Sequence, residues 1–129
     1  MQVEQVQRFL DQYSEEFSSQ NFEALSKRHH LPNIILYTRN NKQVTGFNFE
    51  KNLISFLNDN LSKKILISRS KEIKLNFDNY TSFSDSLALV RATCTVLDAN
   101  QVVLKVMNFV FTIIQVNGDI KITSLTIDI

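Results

Sequence analysis

The stretch 86-SLALVRATCTVLDANQVVLKVMNFVFTIIQVNGDIKITSLTIDI-129 decides how this chain folds. It reads as three long strands, 86–98, 102–114 and 120–129, joined by two tight turns. The second turn holds Asn117-Gly118, the strongest short hairpin signal, because both central residues of a type I′ turn need positive φ. With that pair as the loop, Thr112 falls opposite Thr123, Val110 opposite Leu125 and Asn108 opposite Ile127. A two-residue Ala99-Asn100 loop in the first hairpin places Arg91 opposite Asn108, Leu89 opposite Val110 and Thr93 opposite Val106.

The period of two sorts these strands into two faces. One carries Leu87, Leu89, Arg91, Thr93, Leu104, Val106, Asn108, Val110, Thr112, Thr123, Leu125 and Ile127. The other carries Ala88, Val90, Ala92, Cys94, Val103, Met107, Phe109, Phe111, Ile113 and Ile122. Neither alternates with solvent as a half-wet antiparallel sheet does. Both therefore need cover. The expectation is that helices cover the first face and a second copy of the chain covers the second, giving a homodimer through Phe109 and Phe111.

The 129 residues suit one domain. Hydrophobic residues at 43% allow a sizeable core, and a net charge of +1 without a basic block gives nucleic acid nothing to grip. The single Cys94, in mid-strand, excludes a disulfide framework and fits a reducing, cytoplasmic setting. It reads as a small buried hydrophobe. The N-terminal MQVEQVQRFLDQYSEEF is too charged for a signal peptide, and no apolar run reaches membrane-spanning length.

Val6, Phe9, Leu10, Tyr13 and Phe17 fall at helical spacing, so 2–19 is predicted to be an amphipathic helix. Asn21 caps a second helix over 22–29, which Pro32 ends. A short strand at 33–38, a turn at 39–42 and a partner strand at 43–45 follow. The helix 48–63 comes next, then a strand at 65–77 and a polar loop at 78–85.

That order, with 22-FEALSKRHHLP-32 before the first strand and 115-QVNGDIKI-122 at the last turn, resembles the nuclear transport factor 2-like superfamily. The likeness spans the whole chain and rests on architecture. The tryptophan that relatives often carry after the turn glycine is absent. The resemblance implies one α+β domain over 1–129, a cone in which a strongly curved, mostly antiparallel sheet of about six strands wraps three helices around a pocket. The superfamily it resembles includes ketosteroid isomerase, SnoaL-like polyketide cyclases, dehydratases, an epoxide hydrolase and transport factors, so the fold leaves the chemistry open. Tyr13 matches the isomerase tyrosine, but the strands 33–38 and 102–114 lack the family's acids. The acid–arginine–acid arrangement of the epoxide hydrolase is missing too, since Arg91 has no mid-strand acid beside it.

Superposing the turn glycines puts Arg91 and Asn108 on the pocket-lining face. There a guanidinium anchors a carboxylate or phosphate, and an amide orients a carbonyl or hydroxyl. The bland alternative pairs Arg91 with a helix acid such as Glu16, or sends it to solvent. The candidate pocket is Tyr13, Phe17, His30, Tyr37, Arg91, Asn108, Val110 and Ile127. His29 and His30 point apart, so they do not share a metal; a histidine there caps a helix end or serves as a base. Lys105 has no evident role. The first functional expectation is a small-molecule binding domain without cofactor, for an acidic and mostly apolar ligand. An isomerase, cyclase or dehydratase using Tyr13 and a histidine comes second, and a protein-interaction module third.

Overall fold

The structure, a computed structural model, describes residues 1–39 and 42–129. Helix α1 (Val3–Ser18) buries all five residues of its apolar stripe and starts on a capping box between Gln2 and Gln5. In α2 (Phe22–Ser26), Asn21 Oδ1 accepts from the Ala24 N–H at 3.2 Å. This helix is shorter than expected, because β1 (His29–Tyr37) already begins at the histidine and carries Pro32 within it. Strand β2 (Gln43–Phe47) pairs with β1. The turn expected at 39–42 lies partly outside the described residues. The third helix runs as α3 (Glu50–Phe56), a π-helical turn (Leu57–Leu61) and α4 (Ser62–Ile65). Lys105 Nζ donates to Lys64 O at 3.1 Å, a cation on the end of that helix, which accounts for this residue.

Four long strands follow: β3 (Glu72–Ser84), β4 (Leu87–Leu97), β5 (Val103–Val116) and β6 (Asp119–Asp128). Residues 65–71 are not strand, and 78–84, expected as a polar loop, extend β3 with bulges near Asp78 and Phe83. The fold is α+β, with one sheet in the order β2-β1-β6-β5-β4-β3. Every pairing is antiparallel except β1 with β6.

Two registers differ from expectation. The β4–β5 connection is longer than two residues: Asp98 N–H donates to Val102 O, and the Asp98 carboxylate accepts from Asn100 N (2.8 Å) and Val102 N (2.9 Å). A bulge between Val96 and Leu97 adds a second residue to β5, so Arg91 faces Val110 and Asn108 faces Thr93. The shift is by two, so each strand keeps its face. At the second hairpin, Asn117 and Gly118 do take positive φ, and Val116 meets Asp119 as expected. A bulge at Thr123 then adds one residue to β6, so Thr112 meets Ser124, Phe111 meets Leu125 and Phe109 meets Ile127.

The helices pack on the face opposite to the one expected. Phe109, Phe111, Met107, Cys94 and Ala92 are buried in the core with Tyr13, Phe17 and Tyr37, and the bulge brings Leu125 and Ile127 to the same side. Tyr13 meets Phe111 edge-on at 5.7 Å between centroids. The surface expected to pair two copies is therefore not exposed: Phe109 and Phe111 lie in the core under the helices.

One sheet edge is closed by side chains. Ser18 Oγ accepts from Ile73 N (2.9 Å), Ser14 Oγ from Leu75 N (3.0 Å) and Gln7 Oε1 from Phe77 N (3.1 Å), while Gln7 Nε2 donates to Leu75 O (3.3 Å). A polar stripe of α1 thereby occupies the place of a further strand beside the first half of β3.

Candidate functional site

Inside the cone, three polar side chains form one chain. Asn33 Nδ2 donates to Ile122 O at 2.7 Å, so the amide oxygen is the free acceptor. His29 Nδ1 lies 3.2 Å from that oxygen and must carry its proton. Its Nε2 is then an acceptor, and Tyr13 O–H donates to it at 3.0 Å. The chain ties α1 to β1 and β6. Burial is the main cause that lowers the His29 pKa to about 4, against an opposing contribution from the Asn33 hydrogen bond. Burial, with lesser contributions from Cys94 and Glu16, pushes the Tyr13 phenol well above its ordinary range. Both groups are neutral at pH 7, and both nitrogens of His29 are engaged. As drawn, the imidazole has no free nitrogen for a substrate proton.

Of the residues expected to line a pocket, Tyr13, Phe17, Tyr37 and Ile127 do come together, but as fully buried core. Tyr37 O–H donates to Asn60 Oδ1 at 2.9 Å, and burial raises its pKa. His30 is exposed; its neighbour His29 is the inward histidine. Arg91 and Asn108 are exposed on the outward face with the half-buried Val110, so they do not face the cone interior. The helix acid Glu16 is taken by Arg28 instead, at 2.5 Å (Nε) and 2.9 Å (Nη2). Cys94 is buried, and burial pushes its thiol up to about 12. His29 and Asn33 were missed because 22–29 was read as one helix. Counting back by twos from Tyr37 through Ile35 and Asn33 reaches His29, the alternation that would have found it.

Four clefts mark the surface, and none is lined by Tyr13, Phe17, Tyr37, Arg91, Asn108, Val110 or Ile127. One of about 320 Å³ opens over His29 between Ser26, Lys27, His30, Glu50 and Lys121. A wider one of about 580 Å³ separates α1 and α2 from the β5–β6 turn. Two of the four cations in its lining are engaged: Arg28 is bound to Glu16, and Lys121 Nζ donates to the Lys27 carbonyl that ends α2. Among the described residues no group of three or more histidine, cysteine or acidic side chains could hold a metal. Among the described residues no helix is long and apolar enough to cross a membrane.

The register fixes what the outward face presents. One row across the sheet reads Val44, Leu36, Thr126, Val110, Arg91, Asn79; the next reads Gly46, Ile34, Ser124, Thr112, Leu89, Thr81. Val44 is 69% exposed, Val106 59% and Ile34 48%.

No family model matches the chain, and no curated protein does. Solved structures do. An NTF-2 like protein of unknown function from Shewanella oneidensis superposes with a TM-score of 0.74 over 100% of both chains, at 12% identity. The fold is the NTF2-like, cystatin-like cone. A putative calcium/calmodulin dependent protein kinase II association domain from Xanthomonas campestris shares this NTF2-like architecture (TM-score 0.71, 14% identity, 99% of this chain and 87% of that one). So does a putative scytalone dehydratase from Novosphingobium aromaticivorans (TM-score 0.68, 14% identity, 97% and 81%). In the present NTF2-like cone, aromatic side chains and the Tyr13–His29–Asn33 chain fill the space between helices and sheet. Among the described residues, no buried side-chain nitrogen or oxygen lacks a hydrogen-bond partner.

Proposed function

We propose that this domain is a self-association module that pairs two copies through the outward face of its sheet. One observation carries the reading: apolar side chains from four strands, Val44, Ile34, Val106 and the half-buried Val110 and Leu89, lie on one face that no helix covers. Exposed patches of this kind mark association surfaces on soluble proteins. A two-fold interface is self-complementary and needs only one such surface. The likeness to a putative association domain supports the same reading. So does the position of Arg91 on the outward face, where it cannot anchor an acidic ligand inside the cone.

A second reading is acid–base chemistry of the dehydratase or isomerase kind, favoured by the dehydratase-like neighbour; it requires the Tyr13–His29 hydrogen bond to open and free Nε2. Native mass spectrometry of the purified chain, with light scattering at micromolar concentration, separates the two. Self-association predicts twice the 14.9 kDa chain mass without an adduct, and a Val106→Arg variant at the single-chain mass. A wild-type monomer refutes the first reading. A small-molecule adduct on that monomer supports the second.

A further inference from the structure

We propose that the Tyr13–His29–Asn33 chain is an acid-sensitive latch that fastens the start of β1 to α1 and β6. The backbone alone holds this stretch weakly. Strand β1 meets β6 at His29↔Ile122 and not again until Ile34↔Ser124, and its pairing with β2 begins only at Asn33. Residues 30–32 thus belong to neither ladder. The Ile122 N–H donates to Arg28 O at 2.8 Å, and the Asn33 amide reaches Ile122 O; beyond these the side-chain chain is the fastening.

A proton arriving on His29 has one place to go. Nδ1 already carries hydrogen, so the proton adds to Nε2, where the Tyr13 hydroxyl now donates. The hydroxyl must then turn and accept. The Tyr13 ring is packed against Phe9 and Phe111, and its hydroxyl has His29 as its hydrogen-bond partner. The nearby acids already have partners: Glu16 of α1 is ion-paired with Arg28 at the α2 end, and Glu50 of α3, the one carboxylate in the cleft over His29, accepts from Ser26 at 3.1 Å. Against that single carboxylate stand Lys27 and Lys121, from the α2 end and β6, which line the same cleft as His29 and oppose an imidazolium; His30 of β1 lines it too. Cys94 on β4 stays a neutral thiol.

The depressed imidazole pKa of about 4 fits this geometry. Its sign is definite: a base whose folded pKa lies below its free value near 6.5 leaves the fold at full strength above that value. Stability is lost as pH falls below about 6.5, and the loss levels off only near the folded value. Release concentrates where the ladder is interrupted and opens a path from the cleft over His29 to the Tyr13 hydroxyl.

Hydrogen-exchange mass spectrometry of the full chain at pH 7.5 and 5.0, corrected for intrinsic exchange, tests the latch. For titration between 6.5 and about 4, opening of residues 28–33 and 120–123 should rise about 30-fold, with the β3–β4 pairing unchanged. His29→Gln keeps a carbonyl for Tyr13 but cannot titrate, so its pattern should be the same at both pH values. His30→Gln should respond as the wild type does. The same acid opening in His29→Gln overturns the proposal, as does a uniform response along the chain or none at all. Should His29→Gln fail to fold, imidazole nitrogen NMR of the wild type decides. A neutral Nδ1–H ring at pH 6 upholds the latch, and an imidazolium there sinks it.

Discussion

The two faces of β4 and β5 are made by the same strands, yet they behave differently. The inner face pairs small with large: Ala92 with Phe109, Val90 with Phe111, Cys94 with Met107. The outer face pairs Arg91 with Val110, Thr93 with Asn108, Thr95 with Val106. Small residues on one strand let helices approach closely, and the aromatics of the next strand fill the hollow that remains. A face that mixes Arg, Thr and Asn among its valines cannot be buried under helices without partners for each polar group. Hydrophobic content alone therefore does not choose the buried side. Freedom from polar side chains, together with small-against-large pairing, does.

Substitutions sharpen that contrast. The largest effect belongs to the inner face. Phe111→Ala empties a fully buried site against Tyr13, and should cost about 3–5 kcal/mol, read as a fall in the urea midpoint. An unchanged midpoint would mean that the helices do not pack there. Next is Tyr13→Phe, which keeps the ring but leaves His29 Nε2 buried without a donor. A loss of about 1–3 kcal/mol is expected in the same assay. Smallest is Arg91→Leu on the outer face. Arg91 is exposed and makes no ion pair among the described residues. Stability of the single chain should move by no more than about 0.5 kcal/mol. A sharp loss would show that Arg91 is held by contacts on that face, and the two faces would be less unlike than described.

Much of the fold was legible beforehand. The α1 stripe, the Asn21 cap, the Asn117-Gly118 turn and the element order each follow from local chemistry that tertiary structure did not override. The side on which the helices sit was not read correctly, although its signal was present. The face made of Ala, Val, Cys, Met, Phe and Ile contains no polar residue, whereas Arg91, Thr93, Asn108 and Thr112 share the other. The likeness to a pocketed family drew those polar groups inward. The bulge at Thr123 and the longer turn after Leu97 were not legible. A one-residue insertion in a run of Thr and Ser leaves no mark in hydropathy, and Asp98 chooses its turn by bonding two backbone amides beyond it. Of the candidate site, Tyr13 was anticipated, but its partner turned out to be His29, hidden by a helix boundary drawn three residues too late.

The seam between α1 and β3 bears on how large an assembly can grow. Addition at a strand edge has no natural stopping number, since each new copy offers the next a fresh edge. Here Gln7, Ser14 and Ser18 spend that valence internally, over Ile73, Leu75 and Phe77. Strand β2, at the other edge, is only five residues long. With the first half of one edge occupied and the other edge short, edge addition has little to work with, and the proposed pairing through the broad outward face would close at two copies. Removing the hydroxyls at Ser14 and Ser18 would leave the outward face untouched and take from the Ile73 and Leu75 N–H groups the acceptors that now occupy them.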